Sequence, residues 1–163
     1  MLKQKKYKIV DNFLLKDDFL KIKETMLSGN FPWNYMSNVS SEQSNDSIYF
    51  IHLFQNKLFI SAYINLLLPV FEKIQPKSLI RVKGNFYPPT NKLYEHENHV
   101  DYNFKHKGLI LYVNTNNGFT ILKNGERVES IENRALLFDP SIEHRSTTCT
   151  DAKGRININF NYF

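Results

Sequence analysis

From residue 78 to its end the chain is a train of short runs rich in Ile, Val, Leu, Phe and Tyr, each closed by a turn. The runs are 79–87, 97–101, 108–114, 119–123, 127–131, 134–138, 144–148 and 155–162. Between them stand Asn116-Asn117-Gly118, Asn124-Gly125, Asp139-Pro140-Ser141 and Asp151-Ala152-Lys153-Gly154. Asn-Gly supplies the positive φ angles that a tight hairpin needs. Short strands at this spacing predict an antiparallel two-sheet sandwich or barrel. An aromatic content of 14%, with 13 Phe and 9 Tyr, favours the same outcome, because these side chains pack well on a pleated surface.

Ahead of this half the pattern is mixed. Residues 7–14 predict a short strand and 48–54 another. Residues 17–27 carry Phe19, Leu20, Ile22, Met26 and Leu27 on an uneven helical stripe that Gly29 ends. Residues 56–74 read as a helix apolar on most sides, which predicts burial against a sheet. Residues 37–47, rich in Ser and Asn, predict a surface loop. The expected architecture is mainly β with flanking helices. It forms one domain over 1–163, with 78–163 as the β core, 1–77 as support, and helices near 17–27 and 57–74 on the outer side.

A chain of 163 residues with 42% hydrophobic residues is long enough to bury a core. Its single cysteine, Cys149, rules out an internal disulfide and fits a reducing cytoplasm. The charged start has no apolar stretch behind it, so it is not a secretion signal. The longest apolar run, 58–71, is interrupted by Ser61, Asn65 and Pro69 and is too short to span a bilayer. The expectation is therefore a soluble intracellular protein without membrane contact. The net charge of +5 permits nucleic-acid contact without requiring it. Lys3, Lys5, Lys6 and Lys8 carry much of the excess and read as a solvated tail.

Chemistry enters with His99-Val100-Asp101. Residues i and i+2 of a strand point the same way, so both side chains can reach one ion. His144 opens a later run, just after a Pro-containing turn. Two imidazoles and one carboxylate leave open positions around an octahedral ion, an arrangement suited to non-haem Fe(II). Zinc more often takes thiolates or a third His. The closing run alternates Arg155, Asn157, Asn159 and Asn161 with Ile156, Ile158, Phe160 and Tyr162. Either one wet sheet face or a strand lining a polar cavity explains that alternation.

These pieces, in this order, resemble the double-stranded β-helix domain of the 2-oxoglutarate/Fe(II) oxygenases. The jelly-roll, cupin-like barrel of the prolyl 4-hydroxylase-like branch, and its short versions found in phage genomes, are the nearest in pattern. His99-Val100-Asp101 is similar to the first metal motif, and His144 to the distal ligand. Tyr112-Val113-Asn114 with Gly118-Phe119-Thr120, and the run from Arg134 to Asp139, are similar to the intervening strands. Arg155 stands where the family places the cation for the far carboxylate of 2-oxoglutarate. The resemblance implies that Tyr112 is a second contact to that carboxylate. It also implies that Tyr87, in Asn85-Phe86-Tyr87-Pro88-Pro89, reaches toward the near carboxylate, with Asn85 and Asn157 as weaker candidates. Its implied cofactors are Fe(II), 2-oxoglutarate and O2, with ascorbate a candidate reductant. The implied activity is hydroxylation of a peptide, protein or small molecule with release of succinate and CO2. The site would sit in the host cytoplasm if the gene is a phage's. The pattern departs from many relatives in having one glycine, Gly118, where they have two.

Two rivals share the strand pattern: a non-catalytic β-barrel binding module, and a nucleic-acid oxidative demethylase of the same cofactor class. The second requires a nucleotide-recognition lid, for which 31–47 is the one candidate. A cupin-type isomerase fits less well, because Arg155 has no role in it. His96 and His106 are expected to be exposed loop residues, His52 structural, and Trp33 a core or lid aromatic. Arg81 and Arg145 are candidates to meet an acidic substrate.

Overall fold

A computed structural model describes residues 7–39 and 48–163. The N-terminal strand β1 (Lys8–Val10) leads into helix α1 (Lys16–Leu27), then β2 (Asn34–Met36) and β3 (Tyr49–Gln55). A 3-10 turn (Ile64–Leu67) runs into α2 (Leu68–Ile74). The remaining strands are β4 (Leu79–Tyr87), β5 (Lys107–Tyr112), β6 (Phe119–Leu122), β7 (Arg127–Glu129), β8 (Ala135–Phe138), β9 (His144–Ser146) and β10 (Arg155–Tyr162). They form a seven-stranded sheet, β1-β8-β5-β10-β4-β3-β2, and a three-stranded sheet, β7-β6-β9, with every pairing antiparallel. The mainly β, jelly-roll expectation holds. No described helix is long and apolar enough to cross a membrane.

The alternation of β10 resolves into two buried faces, since every residue of the strand is buried. Ile156, Ile158, Phe160 and Tyr162 face outward, where α1 covers them with Phe19, Ile22 and Met26, joined by Val82, Leu109 and Leu111. Burying each such side chain contributes about 1.5–3 kcal/mol, so helix and sheet stabilise one another. Gly84 lets α1 lie close: a Cβ there would stand 3.1 Å from the Met26 methyl and 3.3 Å from the Phe54 ring. The opposite face of β10, with Arg155, Asn157, Asn159 and Asn161, looks into the space between the sheets. There a second apolar cluster of Ile110, Tyr112, Leu122, Val128, Leu136 and Phe138 closes one side.

Three expectations need correction. Residues 56–63 are not helical. Asn56 accepts the Leu58 amide at 2.9 Å, Gln55 bridges Ile60, and Leu58 is 96% exposed. The helix begins only at Leu68, where Pro69 falls in the first turn and its missing N–H costs nothing. Residues 97–101 are not a continuous strand either. They pair at one isolated bridge, His99 with His144, with a second at Glu95 and Thr147. Polar residues surround the lone β-branched Val100, which is 38% exposed and has no sheet face to pack on. Finally, the strand expected over 7–14 stops at Val10, because Asn12 takes a left-handed conformation (φ 50°) that no ladder accepts. Strand β2 has no counterpart in the sequence reading. The Ser/Asn-rich loop falls largely on 40–47, outside the described residues, as do Lys3, Lys5 and Lys6; of the lid candidate over 31–47, residues 31–39 are described and carry β2, and 40–47 are not.

Candidate metal centre and its cavity

The bridge between His99 and His144 sets the two imidazoles side by side. The His99 amide donates to the His144 carbonyl at 2.9 Å and the reverse bond is 3.0 Å, which brings the rings to 4.6 Å between centroids. The Asp101 amide donates to the Pro140 carbonyl at 3.0 Å, pinning the same loop to the turn that precedes β9. One ligand atom each from His99, Asp101 and His144 lies within 4.8 Å of the others, a spacing that could hold a metal ion.

The protonation states suit a metal. His144 Nδ1 lies 3.0 Å from the Ile142 carbonyl and His99 Nδ1 lies 3.3 Å from the Glu97 carbonyl. A carbonyl only accepts, so each Nδ1 carries a proton, which makes Nε2 the nitrogen through which the neutral ring can bind a metal. Burial lowers the His99 pKa, and the neighbouring His144 lowers it further, favouring neutral imidazole. Burial opposes ionisation of Asp101, yet Arg81, His144 when protonated, the Asn159 hydrogen bond and His99 when protonated outweigh it and hold the carboxyl down to about 2. Arg81 Nη2 reaches Asp101 Oδ1 at 3.2 Å and Asn159 Nδ2 donates to Oδ2 at 2.9 Å. Neutral imidazoles and an ionised carboxylate are the forms Fe(II) binds.

Deeper along β10, Arg155 is fully buried. Its Nε donates to Ser130 Oγ at 2.8 Å, its Nη2 to Thr120 Oγ1 at 3.1 Å and its Nη1 to the Thr147 carbonyl at 3.5 Å. All three partners are neutral, and among the described residues no acid pairs with it. A guanidinium has five N–H donors, so one on each Nη is left over. The rings of Tyr87 and Tyr112 flank the guanidinium carbon at 5.4 and 5.7 Å. Tyr112 donates its hydroxyl to Thr120 Oγ1 at 2.8 Å. Tyr87 stacks on Tyr49 at 5.5 Å and meets the Ser146 side chain. Burial raises both phenol pKa values, so both remain hydrogen-bond donors at neutral pH. Gly118 makes room for Arg155: a Cβ there would stand 2.6 Å from Arg155 Cδ and from the Thr148 carbonyl.

The weaker candidates Asn85 and Asn157 face each other across β4 and β10, with Asn85 Nδ2 donating to Asn157 Oδ1 at 2.9 Å. Asn85 Oδ1 is buried without a partner. His96 and His106 are corrected: they are 2% and 5% exposed. The loop ahead of β5 folds across the barrel mouth, where Ser146 Oγ meets His96 Nδ1 at 2.8 Å and Asn161 Oδ1 meets His106 Nε2 at 2.8 Å. Loop composition reports polarity and not the cover a loop finds. His52 is structural, held between the Pro32 carbonyl and Ser61 Oγ. Trp33 packs on the outer core. Arg145 is engaged by Glu95 and Asn98, and Arg81 by Asp101. Ser130, Thr120, Asn159 and Lys83 were missed as site residues. A signal existed for the last: Arg81, Lys83, Asn85 and Tyr87 alternate with apolar or small residues along β4, as the polar face of β10 does. Lys83 is half-buried, with its amine 5.6 Å from the Tyr49 ring centre. Burial, and then the charge of Arg81, bring its pKa down to about 8.

No protein-family model and no curated protein matches this sequence. Solved structures do. A prolyl hydroxylase from Trichoplax adhaerens, in complex with a hypoxia-inducible-factor oxygen degradation domain peptide, is 16% identical with a TM-score of 0.68, over 99% of this chain and 85% of that one. The viral collagen prolyl hydroxylase of Paramecium Bursaria Chlorella virus-1, solved as a 2-oxoglutarate complex, is 12% identical with a TM-score of 0.67, over 96% and 95%. An oxidoreductase of the 2OG-Fe(II) oxygenase family from Burkholderia pseudomallei is 9% identical with a TM-score of 0.72, over 99% and 86%. This chain therefore has the fold of the 2-oxoglutarate/Fe(II) oxygenases, in the form that prolyl hydroxylases take.

Proposed function

We propose that the protein is an Fe(II)- and 2-oxoglutarate-dependent hydroxylase built as a single domain over 1–163. His99, Asp101 and His144 hold the metal, Arg155 with Tyr112 holds the far carboxylate of 2-oxoglutarate, and Tyr87 stands on the near-carboxylate side. The observation that carries this is the presence, along one face of β10, of a metal-ready triad tied to Asn159 and a fully buried guanidinium whose partners among the described residues are all neutral. A buried charge without a counter-ion is costly. A carboxylate accepting the two remaining N–H groups in a fork removes that cost. Thr120 supports the same place, since its oxygen already accepts from Tyr112 and Arg155 and its own proton is left to donate.

Bound iron with 2-oxoglutarate supplies the oxidising chemistry: one atom of O2 enters a C–H bond of the acceptor, and the other enters succinate as CO2 leaves. The chain's residues do the rest. Arg81 and Asn159 fix both oxygens of Asp101, so the carboxylate keeps its orientation and charge. The carbonyls of Glu97 and Ile142 fix the imidazole tautomers. The acceptor is a peptide, a protein or a small molecule. The neighbours named above as prolyl hydroxylases support a prolyl side chain as the first to test. Cys149, free and buried, is compatible with a reducing compartment.

The test is anaerobic addition of Fe(II) and then 2-oxoglutarate. The expected result is a weak violet charge-transfer band in the wild type that His99→Ala abolishes while the fold survives. If the wild type develops no band, or if His99→Ala develops the same one, the proposed function is wrong.

A further inference from the structure

The inner face of β4 carries Arg81, Lys83, Asn85 and Tyr87, opposite Asn161, Asn159, Asn157 and Arg155 of β10. The register separates two ends of the cavity. Tyr87 lies opposite Arg155, while Lys83 lies opposite Asn159, the residue that holds Asp101. Four residues of strand put these ends roughly 13 Å apart, with the metal triad at the Lys83 end. Lys83 feels the charge of Arg81 and Asp101, and His99 feels that of Lys83.

The charges along this face do not balance. The cavity wall holds three cations, Arg81, Lys83 and Arg155, against one carboxylate, Asp101. A divalent metal and a 2-oxoglutarate dianion together add no net charge, so a surplus of two positive charges stays on these side chains. Asp101 engages Arg81, and 2-oxoglutarate engages Arg155. Lys83 remains. Among the described residues it has no hydrogen-bond or ion-pair partner, only the ring of Tyr49. A half-buried ammonium facing a cavity is stabilised by an anion that enters it.

Resting on the hydroxylase function above, we infer that Lys83 binds a carboxylate of the acceptor, so that the protein hydroxylates a carboxylate-bearing compound seated beside the metal. A single cation inside the barrel wall suits one carboxylate. A nucleic-acid backbone needs a row of cations on an open surface. The near carboxylate of 2-oxoglutarate, drawn toward the metal residues, is the competing anion at this end, and the 2-oxoglutarate arm of the test below separates the two.

The test uses the whole chain loaded with Mn(II) and 2-oxoglutarate, and reads the relaxation of probe protons by the metal. The probes are N-acetyl-L-proline beside N-acetyl-L-prolinamide, and N-acetyl-L-glutamate α-amide beside N-acetyl-L-glutaminamide. The acids should bind more tightly than their amides. Lys83→Met should weaken the favoured acid about tenfold, leave the amides unchanged and leave 2-oxoglutarate affinity within twofold. Lys83→Arg should keep the acid preference. A larger preference in the proline pair means a free acid, and in the glutamate pair an acidic side chain of a peptide; either supports the inference. Equal binding of acids and amides by the wild type overturns it. So does a preference that persists in Lys83→Met, or a fall in 2-oxoglutarate affinity in that variant, which assigns Lys83 to the co-substrate. Wild-type affinity for Mn(II) and 2-oxoglutarate is measured first, and its absence removes the hydroxylase function itself.

Discussion

Replacing Arg155 by Met separates what the guanidinium does for the fold from what it does for the co-substrate. The variant loses three hydrogen bonds, at 2.8, 3.1 and 3.5 Å, of which the longest is marginal. Two bonds to a charged group contribute about 1.5–3 kcal/mol each. Against this, the folded protein no longer buries a charge among neutral partners, a penalty of several kcal/mol. Ser130 Oγ is left to find another donor, while Thr120 keeps its bond from Tyr112. The two sides nearly cancel, and the methionine fills most of the volume. Thermal unfolding should therefore shift by only about 2–4 °C, the equivalent of 1 kcal/mol in a domain of this size. Binding behaves differently. The far carboxylate loses a desolvated charge partner, which costs on the order of 2–5 kcal/mol, or roughly 30-fold to several-thousand-fold in affinity. Calorimetry of 2-oxoglutarate into the Mn(II)-loaded protein measures this without turnover, and differential scanning calorimetry measures stability. A large loss of thermal stability with 2-oxoglutarate affinity unchanged within threefold would make Arg155 a structural residue and refute the reasoning.

Asn159→Leu should weaken Mn(II) binding about 10- to 100-fold in a titration followed by electron paramagnetic resonance, because one of the two groups that orient Asp101 is gone. Gly118→Ala should lower 2-oxoglutarate affinity and cost about 1–3 kcal/mol of stability in urea unfolding, since its Cβ meets a backbone carbonyl and the Arg155 side chain at 2.6 Å. The Arg134 hydrogen bond to Asp11 holds that carboxyl below its ordinary pKa. A carboxylate with a depressed folded pKa contributes stability above its unfolded pKa of about 4 and loses it as pH falls through the folded value. Asp11→Asn should thus cost only about 0.2–1 kcal/mol at pH 6, given an exposed pair, and less as pH falls toward 2. Urea unfolding at the two pH values checks the sign.

Much of the architecture is local, and so was legible in the residues. Period-2 alternation, Asn-Gly and Asp-Pro turns, and the stripe of α1 each follow from one segment's own chemistry. That is why β4 and β10 fall where the pattern put them, and why β5 to β9 fall close to it. The length of α2 was not legible. Its apolar run is continuous with 56–63, and only the bridge from Gln55 to Ile60 and the position of Pro69 decide where the helix begins. The candidate metal residues could be named in advance because His-x-Asp and a later His are a spacing in the chain. Bringing them together took the pairing of His99 with His144, a contact between a loop and the first residue of β9 that strand propensity does not encode.

The sequence alone determined that the chain would be an antiparallel β structure with a His/Asp/His set and an arginine on its last strand. Only the tertiary structure decided which face of that strand looks into the space between the sheets and which lies under α1. It also decided that Arg81 serves Asp101, that His96 and His106 are buried, and that, among the described residues, Arg155 meets no acid and Lys83 has no ion-pair partner. Each of these is a question of what lies across the sheet or the cavity. Alternation along a strand says which residues share a face, and only packing says what that face meets.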